Sequence, residues 1–163
     1  MKKSSGKKYH WVFRVHLVDR AGALTSIASA FSNEGININT IVGHGFEKNA
    51  SVEGSLVITF YCTREEKDIM ARKIKRLSKV IDLEERPYDS HKLRKSVIML
   101  TESKLQPPDV AGKEFFLTCE LVNNDSHGWT YFLAGSPSDL DPVLRKLETG
   151  GTVKDIVYSI VSL

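Results

Sequence analysis

Strand-like and helix-like segments alternate along this chain in an order that leaves few folds open. The segment His10–Val18 is rich in β-branched and aromatic residues, which is typical of a strand. A helix is predicted next, because apolar residues recur at the spacing of one helical face, at Leu24, Ile27, Ala28 and Phe31. Gly35 follows at a position typical of a helix end, and residues 36–46 have the composition of a second strand.

The next segments complete a unit of four strands and two helices. We expect Glu47–Gly54 to be a polar loop. Ser55–Cys62, which is nearly continuous in apolar residues, is predicted to be a strand inside a sheet. Thr63 and Glu66 form a capping box before a helix whose apolar side consists of Met70, Ile74 and Leu77. A strand at Val80–Glu85 closes the unit, so the order is the β-α-β-β-α-β of ferredoxin-like folds.

A second, less regular copy of this order occupies the rest of the chain. Its strands are predicted at residues 96–100, 115–122, 130–135 and 153–161. Ser136 and the proline after it indicate the start of a helix, which ends at a pair of glycines. The apolar side of that helix consists of Leu140, Val143, Leu144 and Leu147.

The first helix of the second copy is the weakest element of this pattern. Prolines at positions 107 and 108 and a glycine at 112 interrupt the segment, so we expect that helix to be vestigial. The predicted organisation is a disordered basic tail at 1–9, a first module at 10–86, a linker at 87–93 and a second module at 94–163. The sequence therefore predicts an α+β protein with two ferredoxin-like βαββαβ modules in tandem.

The net positive charge of the chain lies in its tail. The formal net charge is +3, and the lysines at positions 2, 3, 7 and 8 carry four positive charges. Without them, 19 basic residues (23 − 4) stand against 20 acidic residues. A body this close to neutrality has no electrostatic footprint for nucleic acid or an anionic membrane. No apolar run reaches the ~20 residues that cross a bilayer, so we expect a soluble, cytoplasmic protein.

The residue types that carry catalysis and metal binding do not occur in the required patterns. Cys62 and Cys119 lie in strand-like segments and are expected to be buried, reduced thiols. None of the 5 histidines has a carboxylate or thiol at ligand spacing, and Gly43-His44-Gly45 is too short to indicate a phosphate loop. Phe60 and Tyr61 do not form the aromatic platform by which ferredoxin-like sheets bind RNA. We therefore predict no catalytic residue, no metal site and no cofactor in this chain.

Several motifs, in a consistent order, resemble those of one protein family. Val18–Leu24 (VDRAGAL), followed by Phe31–Ile38 (FSNEGINI), is similar to the opening of ACT domains. Leu77–Leu83 (LSKVIDL), Arg94–Leu100 (RKSVIML) and Leu133–Ser136 (LAGS) resemble later motifs of the small regulatory subunits of acetolactate (acetohydroxyacid) synthase. The matches cover nearly the whole chain after residue 9. The chain therefore resembles a member of that family, with two ACT-type modules.

The resemblance implies an amino-acid effector site at the start of the first helix. A carboxylate suits this backbone, because the first N–H groups of a helix are unpaired and Gly22 has no side chain to exclude a ligand. Asp19 would take the ammonium group, and Asn37 and Ile38 would come from a neighbouring protomer. The implied effector-binding residues are Asp19, Ala21, Gly22, Ala23, Leu24, Asn37 and Ile38. From the residues alone, Asp19 as a helix cap and Gly22 as a turn glycine remain open alternatives.

The resemblance also implies a function that needs no chemistry in this chain. It indicates a regulatory subunit that activates the catalytic subunit of acetolactate synthase and confers feedback inhibition by valine or another branched-chain amino acid. Thiamine diphosphate, FAD and magnesium would belong to that catalytic partner. The compartment would be the cytoplasm, or the plastid stroma if a transit peptide has been removed. The alternative is a free-standing ACT-domain amino-acid sensor that acts on a different partner.

A homodimer is expected on physical grounds. A four-stranded sheet with both helices on one face leaves edge strands and its second face uncovered. Four features depart from the family pattern. The family usually carries Asn where Asp19 stands, Glu where Lys95 or Ser96 stands, and a longer first helix in the second module, and the loop at 47–54 is longer than usual. These departures bear on which effector is bound.

Overall fold

The computed structural model describes residues 6–48, 51–106 and 117–162 of the chain. The chain divides into two compact units between Ser90 and His91, inside the segment predicted to be a linker. Within the described ranges, none of the helices combines the length and the apolar character that crossing a lipid bilayer requires.

The first unit is a four-stranded antiparallel sheet with two helices. Its elements are β1 (Tyr9–Val18), α1 (Ala23–Asn33), β2 (Ile38–Lys48), β3 (Ser51–Cys62), α2 (Arg64–Lys75) and β4 (Val80–Pro87). The strands lie in the order β2-β3-β1-β4, so β1 is bonded on both sides while β2 and β4 form the edges. The element order is the predicted β-α-β-β-α-β.

Three phenylalanine rings pack the first helix against one face of this sheet. Phe13 of β1 and Phe60 of β3 are fully buried, and their ring centroids lie 4.7 Å apart with the planes at 77°. Phe31 of α1 meets Phe60 edge-on at 4.9 Å. Edge-to-face pairs of this kind contribute about 0.5–1.5 kcal/mol beyond the apolar area that they bury. Met70 and Ile74 bring α2 into the same core.

Glycines bound helix α1 at both ends. Gly22 precedes the helix in the left-handed conformation, with a φ of 81°. At the other end Gly35 has a φ of 67°, and the chain turns there so that the Ile36 N–H donates to the Phe31 carbonyl at 3.1 Å. Leu24, predicted to lie on the buried side, is 51% exposed. The buried side begins at Ala23 instead, a possibility that the spacing could not exclude because alanine is compatible with either side.

A capping box starts helix α2, as predicted. The Glu66 N–H donates to the Thr63 hydroxyl at 3.2 Å, and the Thr63 N–H donates to the Glu66 carboxylate at 2.8 Å. Both bonds satisfy N–H groups that have no partner inside the helix.

The second unit repeats the topology of the first. Its elements are β5 (Leu93–Thr101), β6 (Leu117–Asp125), β7 (Gly128–Gly135), α3 (Pro137–Thr149) and β8 (Val153–Ser162). The strand order β6-β7-β5-β8 matches β2-β3-β1-β4 position by position. The predicted α+β class, with two ferredoxin-like modules in tandem, is confirmed. The helix predicted to be vestigial lies around residues 107–116, outside the described residues.

A buried ion pair joins helix α3 to the second sheet. The side chain of Lys95 is 7% exposed, and its ammonium donates to Asp141 Oδ1 at 2.7 Å. The same ammonium lies 4.1 Å from the ring centroid of Tyr158. A buried lysine needs such partners, because an unpaired charge away from water is costly. Lys95, one of the departures from the family pattern, therefore has a structural role.

The structure corrects three boundaries. The predicted polar loop 47–54 is wrong, since β2 extends to Lys48 and β3 begins at Ser51. The polar residues in the paired ends of β2 and β3 lack the apolar alternation by which a strand is predicted. Tyr9, assigned to the tail, begins β1, and strands include both ends of the predicted linker, at Pro87 and Leu93.

The outer face of the first sheet, opposite the helices, carries an ionic cluster. Arg14 and His16 of β1 lie 3.6 and 3.7 Å from Glu84 Oε1 on β4, and Arg86 contacts the other oxygen of Glu84. These partly buried charges make this part of the face polar. The expectation of a dimer therefore depends more on the edge strands than on an apolar second face.

Thr63→Ala removes the hydroxyl that caps α2. It is expected to lower the free energy of unfolding of the first unit by about 1 kcal/mol, while Thr63→Ser, which keeps the hydroxyl, loses less. The chain has 2 tryptophans, so urea unfolding in a Trp129→Phe background follows the first unit through Trp11 alone. Equal unfolding midpoints for the two variants would contradict the role given to the capping box.

Candidate functional site

The turn between β1 and α1 leaves the start of the helix open. The Ala23 N–H donates to the Arg20 carbonyl at 3.1 Å, which closes the turn Arg20–Ala23. Gly22 is the N-cap residue, and no side chain caps the helix. The interpretation of Asp19 as a helix cap is therefore wrong. An uncapped helix start offers N–H donors and the positive end of the helix dipole.

A cleft of about 250 Å³ lies beside this turn, within the first unit. It brings together four of the predicted effector-binding residues, Asp19, Gly22, Ala23 and Leu24. Ala21 belongs to the same turn. The rest of the lining consists of Leu17, Arg20, Gly43, His44, Gly45, Gly54, Ser55 and Leu56. Leu24, which is half exposed, thus borders the cleft with apolar surface.

Glycines on β2 and β3 form one wall of the cleft. In the register of the sheet, Gly45 faces Gly54, and Gly54 faces Leu17 of β1. A Cβ at Gly45 would overlap Oδ2 of Asp19, and a Cβ at Gly54 would lie 3.1 Å from Cδ1 of Leu17. Bare backbone is therefore what leaves room for the cleft and for the Asp19 carboxylate beside β2.

Sequence reasoning missed these glycines as parts of a site. As a motif, Gly43-His44-Gly45 does not match a phosphate-binding loop. The available signal was the spacing of two, because alternate residues of a strand lie on the same face. Gly54 carries no such signal, since only the β2–β3 register brings it opposite Gly45.

Lys79 is a second residue that sequence reasoning missed. Its ammonium donates to the Ala21 carbonyl at 2.7 Å, and its own carbonyl accepts from the Val18 N–H at 2.9 Å. A Cβ at Gly22 would lie 3.1 Å from Nζ of Lys79, so the ammonium stands at the helix start. No spacing rule connects residue 79 with residue 22, because it is the fold that brings them together.

The cleft and the turn beside it therefore combine charges of both signs with apolar surface. Lys79 itself lines a smaller pocket, which shares Leu17 and Ala23 with the cleft. The Asp19 carboxylate lies beside β2, whereas the Lys79 ammonium and the open end of α1 lie at the Ala21–Gly22 backbone. Arg20 contributes a further cation to the lining. The apolar surface comes from Leu17, Leu24 and Leu56. Chemically, this arrangement suits a small zwitterion with an aliphatic side chain.

Asn37 and Ile38 do not join this cleft within one chain. They line a different pocket, of about 380 Å³, at the other end of β2. The remaining lining residues there are Lys8, Gly35, Ile36, Asn39, Tyr61 and Glu66. A role for Asn37 and Ile38 in the same effector site thus requires a second copy of the chain.

The two thiols are poor candidates for nucleophiles. Burial, with a smaller contribution from the charge of Glu66, raises the pKa of the Cys62 thiol to about 12. Burial also raises the pKa of Cys119. Since the thiolate is the reactive form, neither sulfur is activated at neutral pH. Among the described residues, no three His, Cys, Asp or Glu side chains are grouped so that they could hold a metal ion.

Comparison with solved structures supports the two-module fold. The chain is similar to the small subunit of acetolactate synthase from Thermotoga maritima, with a TM-score of 0.70 and 16% identity. The similarity covers 94% of this chain and 96% of that one. At this level of identity the likeness is one of fold.

Two further similarities have lower TM-scores. One is to the regulatory subunit of aspartate kinase from Thermus thermophilus, with a TM-score of 0.47, 14% identity and coverage of 86% of this chain and 91% of that one. The other is to the ACT domain of a GTP pyrophosphokinase from Chlorobium tepidum, with a TM-score of 0.40, 18% identity and coverage of 49% and 100%. No protein-family model and no curated protein matches the chain.

Gly45→Ala is expected to displace the Asp19 carboxylate without unfolding the strand, since alanine is the better strand residue. Calorimetric titration with valine, leucine and isoleucine should show binding about 10- to 100-fold weaker than wild type, as for Asp19→Ala. Because both changes act on the Asp19 carboxylate, the affinity of the double variant should be little lower than that of either single variant. Fully additive losses would show that Gly45 does not act through Asp19.

Proposed function

We propose that this chain is a non-catalytic regulatory subunit whose first module binds a branched-chain amino acid in the cleft at the start of α1. The observation that carries the proposal is the placement of opposite charges beside one small cleft. Asp19 lines the cleft next to β2, and the Lys79 ammonium lies beside Gly22, the lining residue at the uncapped helix start. A free amino acid carries the complementary pair, an ammonium and a carboxylate, on the same carbon that bears its side chain.

The carboxylate of the ligand would bind at Gly22. The Ala23 N–H already donates to Arg20, so the donors for the ligand would be the N–H groups of the next residues of the first helical turn. The positive end of the helix dipole adds to them, and Gly22 has no side chain that would block the approach. The ammonium group would pair with Asp19, which here stands in place of the family's usual Asn. A branched aliphatic side chain would then contact Leu17, Leu24 and Leu56, which line the same cleft.

A second copy of the chain would complete the site. Strand β2 is an edge of its sheet, and Ile41, near its middle, is 39% exposed. Edge strands expose unpaired backbone groups that favour pairing with another strand. Antiparallel pairing of two β2 strands about Ile41 would place Asn37 of the second copy opposite Gly45, beside Asp19. The same pairing of β2 edge strands would then account for both the expected homodimer and the expected role of Asn37 and Ile38.

The proposed partner is the catalytic subunit of acetolactate synthase. Two observations support it: the order of family-like motifs along the chain, and a fold similar to an acetolactate synthase small subunit over 94% of the chain. Effector bound between two copies would favour one packing of the dimer, and a partner that prefers the other packing would lose activity. Thiamine diphosphate, FAD and magnesium would then be held by that partner.

Association with the synthase separates this proposal from a free-standing amino-acid sensor. Affinity capture of the chain from the native cell is expected to bring down a thiamine-dependent synthase. Addition of the purified chain to that synthase should raise acetolactate formation and make it sensitive to a branched-chain amino acid, while the chain alone forms none. A different captured enzyme, with no effect on acetolactate formation, would favour the sensor.

Gly22→Asp is expected to abolish effector binding, because it fills the space of the ligand carboxylate and adds a like charge. A unit charge ~4 Å away costs roughly 4 kcal/mol at an effective dielectric of ~20, which is about a thousandfold in affinity. Asn37→Ala loses one hydrogen bond to a charged group, which should lower the affinity roughly 10- to 100-fold. Calorimetric titration measures both, and circular dichroism checks folding, since a φ of 81° strains any side chain at position 22. Binding to folded Gly22→Asp within tenfold of wild type would place the site elsewhere.

A mixture of the two variants tests whether the site is shared between copies. In a heterodimer of Gly22→Asp and Asn37→Ala chains, one site combines both changes and the other combines none. Co-expression of differently tagged chains should therefore restore one site of wild-type affinity per heterodimer. No restoration would mean that both residues act within one chain, or not at the same site.

A further inference from the structure

Lys79 holds the β1–α1 turn at two points. Its carbonyl accepts a hydrogen bond at 2.9 Å from the N–H of Val18, which is the last residue of β1. Its ammonium donates to the Ala21 carbonyl at 2.7 Å, just before the helix. These two bonds bracket Asp19 and Arg20. One residue of the α2–β4 corner thus fixes the turn that borders the cleft.

The ammonium of Lys79 occupies the space next to the absent side chain of Gly22. A Cβ built on Gly22 would lie 3.1 Å from Nζ, and among the residues that the structure describes no other atom outside the turn comes within 4 Å of that point. A lysine ammonium has three N–H donors. The bond to Ala21 uses one of them, so further donors are available to a group that approaches Gly22.

We infer that Lys79 is the cation that binds the carboxylate of the effector. The inference rests on the proposed function, and it gives a ligand role to a residue of the family-like motif Leu77–Leu83 that had none from the sequence. A hydrogen bond to a carboxylate is stronger than one to a neutral carbonyl, so the ligand is the better partner for the ammonium. Bound ligand then joins the start of α1 to the corner that precedes β4.

A purely structural role for Lys79 makes a different prediction. If the ammonium only holds the Ala21 carbonyl, its loss disturbs the cleft for every ligand alike. If it binds the carboxylate, its loss matters only for ligands that carry one. A branched-chain amino acid and its carboxamide, such as valine and valinamide, share the ammonium and the side chain and differ at this one group.

Lys79→Gln removes the charge and keeps a polar side chain. We expect it to weaken binding of the amino acid about 10- to 100-fold and binding of the carboxamide less than threefold, in calorimetric titrations of the full chain. Lys79→Arg, which keeps the charge, should bind the amino acid within about tenfold of wild type. Lys75→Gln is the matched control, since it removes the same charge from an exposed side chain that pairs with Glu85 instead.

The outcomes separate this inference from the proposed function. Suppose that wild type binds the amino acid, and that Lys79→Gln weakens the binding of the amino acid and of its carboxamide equally, or weakens neither. Lys79 is then not the residue that binds the carboxylate, although the effector site itself is still supported. If Lys79→Arg is as weak as Lys79→Gln for the amino acid, charge is not what Lys79 supplies. If wild type binds no branched-chain amino acid at millimolar concentration, the proposed function and this inference both fail.

Discussion

The antiparallel pairing of β1 on both of its sides positions every other feature of the first unit. β3 and β4 flank this strand, and their hydrogen bonds leave it no freedom to slide. The core side of β1 presents Phe13, Val15 and Leu17 to the helices. Its end is fixed by the bond from Val18 to the Lys79 carbonyl. The turn that follows, and with it the left-handed Gly22 and the start of α1, can therefore form in only one place.

Local patterns predicted the elements of this fold well. The capping box at Thr63, the helix end at Gly35 and the apolar side of α3 depend on residues within one or two turns of each other, and such signals are readable from the chain alone. The paired ends of β2 and β3 beyond Gly45 and Gly54 were missed, because they gain stability from cross-strand bonds and their sequence has no apolar alternation. Tyr9 was misassigned for a similar reason, since pairing with Cys62 extends β1 beyond its apolar stretch.

The candidate site was predictable only in part. Asp19, Gly22, Ala23 and Leu24 are neighbours in sequence, and the structure places them on one cleft. Gly54 reaches the same cleft by strand register, and the Lys79 ammonium reaches Gly22 at its edge because the α2–β4 corner packs there. No local pattern encodes either placement. The second unit shows the contrast. Its β6, the counterpart of β2, contains no glycine, so no comparable wall of bare backbone forms there.

The glycines of β2 lower the stability of the strand and leave open space for the cleft. A glycine inside a strand is roughly 0.5–1 kcal/mol less favourable than alanine, because its backbone loses more freedom on folding. Gly43 and Gly45 together therefore weaken an edge strand, which alanine at either position would favour once the side chain of Leu56 or Asp19 had moved away. Selection for stability alone would fill these positions, and each replacement would narrow the cleft. The pair marks a place where a more stable variant of this protein is expected to be a less responsive one.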